Sequence, residues 1–373
     1  VVVIDSGPLA VEIRHGSLSL RGVGPPSRID LDAWNSRENQ CFISHAHADH
    51  VPAARMLDDN ERIEARMSSG ETAEDTWRSL VSSRVTASPE TMALLAARFK
   101  WPEVPAGLPR DIEGLSLAPS GHVLGSTALV ASVEGTTAMY TGDFNTSQGR
   151  LYPPMKPVPC DILACECTFG LPRYEFPPFE AVAKAVEDWI DDALRKGPVV
   201  MYGHALGKNQ EILSMLGPHA AETRIIADED TCAVADVYRA SGIDLPACEP
   251  YKTVSRSKWL ERNDGWAVVL PIEARFAERY YKLDATRCLR AALSGWALDP
   301  AWIEAHRVDA GFPLSDHAGF SDIIGFIETC GPSDVILTHG PGAIVKAKLL
   351  EHKSSEISET VERDVRVHVV KEG

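Results

Sequence analysis

Apolar residues in the first third of the chain come in short runs separated by turn residues. They are Leu9–Ile13, Leu18–Leu20, Cys41–Ser44, Leu115–Ala118, Ala128–Val133 and Ala138–Thr141. Runs of this length, punctuated by glycine and polar residues, predict strands. Ser88-Pro89-Glu90 followed by TMALLAARF reads differently, as an N-cap, a proline at the first helical position and an amphipathic helix. After the apolar run Leu163–Cys165 the texture changes. Phe179–Lys196 predicts a long helix stopped by Gly197-Pro198. A buried-type strand over Pro198–Tyr202 follows, then the loop GHALGKNQ and a helix through Leu216. Strand–helix alternation continues past Ile225, Val268 and Leu293. The tail adds a helix over Phe320–Thr329, a strand at Val335–Thr338, a helix over Ala343–His352 and a strand at Val365–Val370. Such alternation predicts an α/β protein. GLPRYEFPP near 170–178 and DPAW near 299 read as the borders of a segment inserted into the first domain.

Composition narrows the class. The 373 residues suggest two or three domains at about 150 residues each. No stretch approaches the roughly 18 apolar residues of a membrane helix, which excludes a membrane-spanning role. The opening VVVIDSGPLAVEIRHG lacks a basic region before an apolar core, so no secretory signal is expected. The eight cysteines include no CxxC pair and predict reduced, mostly buried thiols in a cytoplasmic protein. Lys and Arg number 37 against 53 Asp and Glu, a net charge of −16. That balance argues against a non-specific nucleic-acid coat protein. It leaves room for an enzyme with one local positive cleft, particularly where bound cations supply part of the charge.

The chemistry concentrates in Ser44-His45-Ala46-His47-Ala48-Asp49-His50, directly after the strand Cys41-Phe42-Ile43. Three imidazoles and a carboxylate within six residues cannot all be core residues, because burying them unpaired costs several kcal/mol. The i, i+2 spacing sets His45 and His47 on one side of an extended segment, while Asp49 and His50 turn to a second site. These ligand types suit Zn²⁺, with Mn²⁺ or Fe²⁺ as alternatives. His122 in GHVLGS and Asp143 in TGDF, each alone, read as an ordinary loop histidine and a turn aspartate. After the first motif they become further ligand candidates, since a strand-end aspartate is suited to bridge two metals.

HAHADH at 45–50, GHVLGS at 121–126, TGDF at 141–144 and LTHG at 337–340 together resemble the metallo-β-lactamase superfamily. CECTFG at 165–170, HALGKNQEIL at 204–213 and FPLSDHAGF at 312–320 resemble its β-CASP branch of nucleic-acid-cleaving enzymes. Within that branch the texture is similar to ligase-associated DNA exonucleases and mRNA 3′-end-processing-factor-like exonucleases. The resemblance implies an αββα sandwich, in parts 1–171 and 308–373, with a β-CASP cap inserted at 172–307. It implies two Zn²⁺ ions (or Mn²⁺), one on His45, His47, His122 and Asp143, the other on Asp49, His50, Asp143 and His339. The expected activity is phosphodiester hydrolysis by a hydroxide activated between the two metals, with Asp49 in the catalytic set, His317 as general acid and Glu166 orienting it.

Lys208, opening a helix after a glycine-containing loop, and Ser315 are candidate phosphate contacts. Arg275, Arg287 and Arg290 read as surface charges of the cap that are able to line a groove. His204, His219 and His306 are assigned to structure, and Trp296 to packing. The expected substrate is DNA, as a single strand or a duplex end, in a repair role, with DNA ligase or helicase as family-implied partners. RNA is the alternative, because the histidine at 339 is the pattern usual for RNA-cutting members. A small-molecule thioester or lactam hydrolase would have no use for the cap, Glu166 or His317. A non-catalytic scaffold would be expected to lack some of the ligands.

Overall fold

The computed structural model describes residues 1–24, 28–33, 39–52, 73–102, 104, 113–254, 265–277, 280, 283, 287–355 and 365–370. The chain divides into two compact units. Val1–Thr146, Pro154–Glu175 and His317–Gly373 form the first; Ser147–Pro153 and Phe176–Asp316 form the second.

The first unit holds two six-stranded sheets. One runs in chain order through β1 (Val2–Ser6), β2 (Leu9–Arg14), β3 (Ser17–Arg21), β4 (Arg28–Leu31), β5 (Gln40–Phe42) and β6 (Val85–Thr86). Its first four strands are antiparallel neighbours; β4–β5 and β5–β6 are parallel. The other contains β7 (Leu115–Pro119), β8 (Thr127–Val133), β9 (Thr136–Tyr140), β10 (Ile162–Glu166), β17 (Asp334–Thr338) and β18 (Arg366–Val369), in the order β18-β17-β10-β9-β8-β7. It is antiparallel from β7 to β9 and parallel from β9 to β18.

Period-2 alternation decides what each face of the second sheet meets. Leu129, Ala131, Ile162, Ala164 and Ile336 pack against Leu9, Leu18, Ile29 and Phe42 of the first sheet. Their chain neighbours Ala128, Val130, Leu163, Cys165, Val335 and Leu337 face the opposite side. There they meet α7 (Phe320–Cys330) and α8 (Gly342–Ser355). In α7 the buried residues Phe320, Ile323, Ile324 and Ile327 recur at i, i+3, i+4 and i+7, a single apolar stripe. Burying each such side chain contributes about 1.5–3 kcal/mol. The helices α1 (Ala73–Arg84) and α2 (Pro89–Phe99) lie between β5 and β7 in the chain. The expected start of α2 holds in detail: Ser88 Oγ accepts from Thr91 N and Pro89 occupies the first turn.

The second unit is built on a fully parallel sheet. Its strands are β11 (Val199–Gly203), β12 (Arg224–Ala227), β13 (Glu249–Pro250), β14 (Trp266–Pro271), β15 (Leu289–Leu293) and β16 (Ala310–Phe312), in the order β13-β12-β14-β11-β15-β16. VVMYG of β11 is buried throughout, the continuous apolar run expected of a strand covered on both faces. Helices α3 (Phe179–Lys196), α4 (Lys208–Leu216), α5 (Glu229–Ala240) and α6 (Pro300–His306) connect the strands. DPAW is the start of α6, with Asp299 as its N-cap and Pro300 at N1, inside this unit. The excursion Ser147–Pro153 is held by ion pairs from Arg150 to Glu180 and Glu187 on α3. Among the described residues no helix is long and apolar enough to cross a membrane.

Candidate metal centre

The motif residues converge because the strands carrying them end on one side. The β9, β10 and β17 strands are parallel, and β7 runs the same way by two antiparallel reversals. The loops after their carboxyl ends carry His122, Asp143 and His339, and Glu166 is the last residue of β10. Two contacts fasten the His-rich segment to them. Thr127 N donates to Ser44 O at 2.9 Å, and Gly142 comes so close to Ser44 that a Cβ on it would lie 2.4 Å from that residue's Cβ. With φ +56, position 142 is also in the left-handed region that favours glycine.

His45 Nε2 and His122 Nε2 each lie 3.0 Å from His47 Nδ1. Both lie 3.6 Å from Asp143 Oδ2. A single ring nitrogen has one lone pair or one proton, so His47 Nδ1 cannot satisfy two imidazoles by hydrogen bonding. The separations instead approximate the edges of a tetrahedron, which for Zn–ligand bonds of about 2.0–2.1 Å are about 3.3 Å. His45 and His122 are fully buried and His47 partly so. The donor set therefore fits a divalent cation.

Asp143 presents its other oxygen to a second group. Oδ1 lies 3.3 Å from His50 Nε2, and that nitrogen is 3.8 Å from Asp49 Oδ2. Both His50 Nε2 and Asp143 Oδ1 are buried without a hydrogen-bond partner, a costly arrangement unless something else satisfies them. The His339 ring lies beside this group, its centroid 5.0 Å from that of His50. It is held at the end of β17 with φ +45, and Cys167 N donates to the carbonyls of Thr338 and His339. Asp49 is exposed.

The electrostatics describe a place for positive charge. Burial pushes His45 well below the usual imidazole pKa, with His50 adding to the effect. Burial works the same way on His50, but Asp143 and Asp32 outweigh it and hold that pKa well above the ordinary value. Burial pushes Asp143 up, yet His50, ahead of His317 and His45, pulls it well below the usual carboxylate range.

Asp32 has no place in the motif reading, yet it organises the site. Its Oδ1 accepts from Ser44 N at 2.6 Å; its Oδ2 accepts from Ser44 Oγ at 2.5 Å and Tyr140 OH at 2.9 Å and contacts His50 Nδ1 at 2.7 Å. That contact fixes the tautomer of His50 and turns Nε2 towards Asp143. The only sequence signal was a polar residue directly after the short strand β4.

Glu166, fully buried at the end of β10, lies 2.8 Å from His317 Nδ1. Its oxygens also accept from Phe144 N at 3.3 Å and Thr168 N at 2.7 Å, so its orientation is set by backbone. The His317 ring is 21% exposed, and its centroid is 4.5 Å from that of His122. Asp143, Glu166 and His317 form a cluster of their own beside the four-donor group.

His45, His47, Asp49, His50, His122, Asp143, Glu166, His317 and His339 thus all belong to the first unit. Lys208 and Ser315 belong to the second. Lys208 is buried, and its ammonium is paired with Asp316; Ser315 is half-buried. Two of the three cap arginines are not surface charges. Arg275 is buried and donates to the carbonyls of His306 and Arg307. Arg290 donates to those of Cys288 and Leu283. Only Arg287 is exposed. The structural assignment of His306 is supported by its contact with Trp302 O at 2.7 Å.

No family model matches the chain. Among curated proteins, a probable DNA ligase of Opitutus terrae is 28% identical over 312 residues, 81% of this chain and 27% of the relative. An endoribonuclease ysh1 of Emericella nidulans is 36% identical over 101 residues, 26% of this chain and 11% of the relative. An RNase J-like protein of Methanocaldococcus jannaschii is 31% identical over 100 residues, 26% of this chain and 24% of the relative. The match therefore spans between 11% and 27% of the length of these relatives.

Proposed function

The chain belongs to the metallo-β-lactamase superfamily in its β-CASP branch, and on that premise we propose that it is a metal-dependent nuclease hydrolysing phosphodiester bonds. The observation that carries the reading is Asp143, one oxygen turned to His45 and His122 and the other to His50. In this reading the first unit is the metallo-β-lactamase domain and the second the β-CASP insertion.

His45, His47, His122 and Asp143 would hold one Zn²⁺ or Mn²⁺ ion, and Asp49, His50, Asp143 and His339 the other. When bound, such ions supply Lewis-acid stabilisation of the phosphate and a nucleophile derived from water at neutral pH. The chain's own residues supply the rest. Asp32 orients His50. Glu166, fixed by two backbone N–H groups, engages His317 Nδ1 and favours the protonated ring. His317 then presents Nε2–H to the departing 3′ oxygen as general acid.

DNA is the proposed substrate, attacked from an end. The match running along 81% of this chain is to a protein named as a probable DNA ligase, whereas the endoribonuclease match covers 26%. RNA is the second reading, favoured by the histidine at 339 and by those endoribonuclease names. A paired digestion of 5′- and 3′-labelled single-stranded DNA and RNA of one sequence, with Zn²⁺ or Mn²⁺ and with Asp143→Ala as control, separates them. Stepwise, metal-dependent loss from DNA, absent in the variant, is expected. RNA cut while DNA survives would replace it with the processing-RNase reading, and neither cut would overturn the nuclease proposal.

A further inference from the structure

The described cysteines are free thiols, and one pair of them plays no part in the chemistry above. Cys232 lies in the first turns of α5, and Cys248 ends the loop that leads from that helix into β13. Their Sγ atoms are 2.9 Å apart, sixteen positions apart in sequence. That is closer than two unbonded sulfur atoms comfortably rest, and a shift of less than about 1 Å reaches the disulfide length of about 2.05 Å. Both thiols belong to the second unit, whereas the metal-ligand candidates belong to the first.

The two sulfurs have different surroundings. Cys232 is buried, with its Sγ 3.9 Å from Ala227 O. Cys248 is half-buried and has Arg239 beside it. The Arg239 guanidinium is itself held by Pro246 O at 2.9 Å and by Asp236. The contact with Cys232, and then Arg239, pull the Cys248 thiol below its ordinary value, while the Cys232 thiol is pushed up by the same contact and by burial. An accessible thiolate next to a cation is the reactive partner of such a pair, and a buried thiol in contact with it is the resolving one.

We propose that Cys232 and Cys248 are a reversible disulfide site for peroxide-class oxidants, with Cys248 attacking first. The Cys248 thiolate takes one oxygen from hydrogen peroxide: an S–O bond forms, the O–O bond breaks, and the hydroxide released leaves as water with the thiol's proton. The Cys232 sulfur then attacks that sulfenic sulfur. The S–S bond forms, the S–O bond breaks, and the second hydroxide leaves as water with the Cys232 proton. Two thiols lose two electrons and one peroxide is reduced to two waters. A dithiol reductant reverses the change by exchange. The bridge would tie the start of α5 to β13, the short edge strand that pairs with β12 only through Ile226↔Glu249 and Ala227↔Pro250. Restraint of that edge is its structural consequence.

The test treats the full chain with hydrogen peroxide, alkylates the remaining thiols and maps peptides by mass. A loss of about 2 Da carried by a Cys232–Cys248 cross-linked peptide is expected, reversed by dithiothreitol. In Cys232→Ser, Cys248 should stop as a sulfenic acid that dimedone captures. In Cys248→Ser, Cys232 should stay a thiol. Should either variant fold poorly, the wild-type peptide map decides alone. Cys232 and Cys248 both recovered as alkylated thiols, or cross-links that join other cysteines instead, overturn the proposal.

Discussion

Asp143 reaches both donor groups because its two carboxylate oxygens diverge, one towards His45 and His122 and the other towards His50. Histidines contribute one nitrogen each and need their other nitrogen fixed from outside, which Asp32 does for His50 and Glu166 does for His317. The ligand candidates were legible in sequence because four of them stand in one hexapeptide and the other three follow strands in motif surroundings. Asp32 was not, because an aspartate at the end of a short strand looks like any turn residue until Ser44, His50 and Tyr140 are seen to share it. Asp32→Asn leaves the shape but removes an acceptor shared by three groups. A metal-affinity titration should show a loss of roughly 10–100-fold, the usual size for a lost outer partner of a ligand histidine; unchanged affinity would separate Asp32 from the metal site. His317→Ala should keep the wild-type metal content while turnover falls by roughly 10²–10⁴-fold. Metal lost from that variant would make His317 a ligand instead.

At the scale of elements, the short apolar runs and helix stops predicted the positions of β2, β3, β8, β9, α2 and α3 with little error, because alternation and capping are local properties. β1 and β4 were passed over: VVIDS and RIDL are too short and too polar to stand out, and only pairing in the sheet makes them strands. DPAW was legible as a turn but not as a helix N-terminus within a larger unit, since Asp and Pro serve both roles. The candidate site side chains depend on loops that touch closely, and Gly142 against Ser44 is one such approach. Gly142→Ala would place a methyl against Ser44 in a backbone conformation that disfavours it. A stability loss of about 1–3 kcal/mol is expected in a denaturant melt, with reduced metal content from the displaced Asp143. Wild-type stability and metal content together would show that the loop has slack the close contact does not suggest.

At the scale of the molecule, the net charge of −16 sits beside a donor set suited to cations, so the global balance said little about function. The second unit carries its own electrostatic debt in Glu211 on α4. Burial first, and then Asp316, push its carboxyl up to about 8, against the pull of Lys208 and Arg150. Glu180 adds to the rise, and Tyr152 lies close to Glu211 and Asp316. The native chain keeps a proton there that the unfolded chain releases near 4.5. Between those values the native state binds more protons, so stability falls as pH rises. The contribution is complete below about 4.5 and gone above about 8. Urea midpoints from pH 5 to 8 should fall less steeply for Glu211→Gln than for the wild type; equal slopes would place the titration elsewhere.

Counting bound metal tests most directly whether two donor groups are joined through one carboxylate. Elemental analysis of the wild type and Asp143→Ala, each loaded with Zn²⁺ and dialysed, should give two ions per chain in the first and fewer than one in the second. One ion in the wild type, or two retained without Asp143, would contradict the bridge.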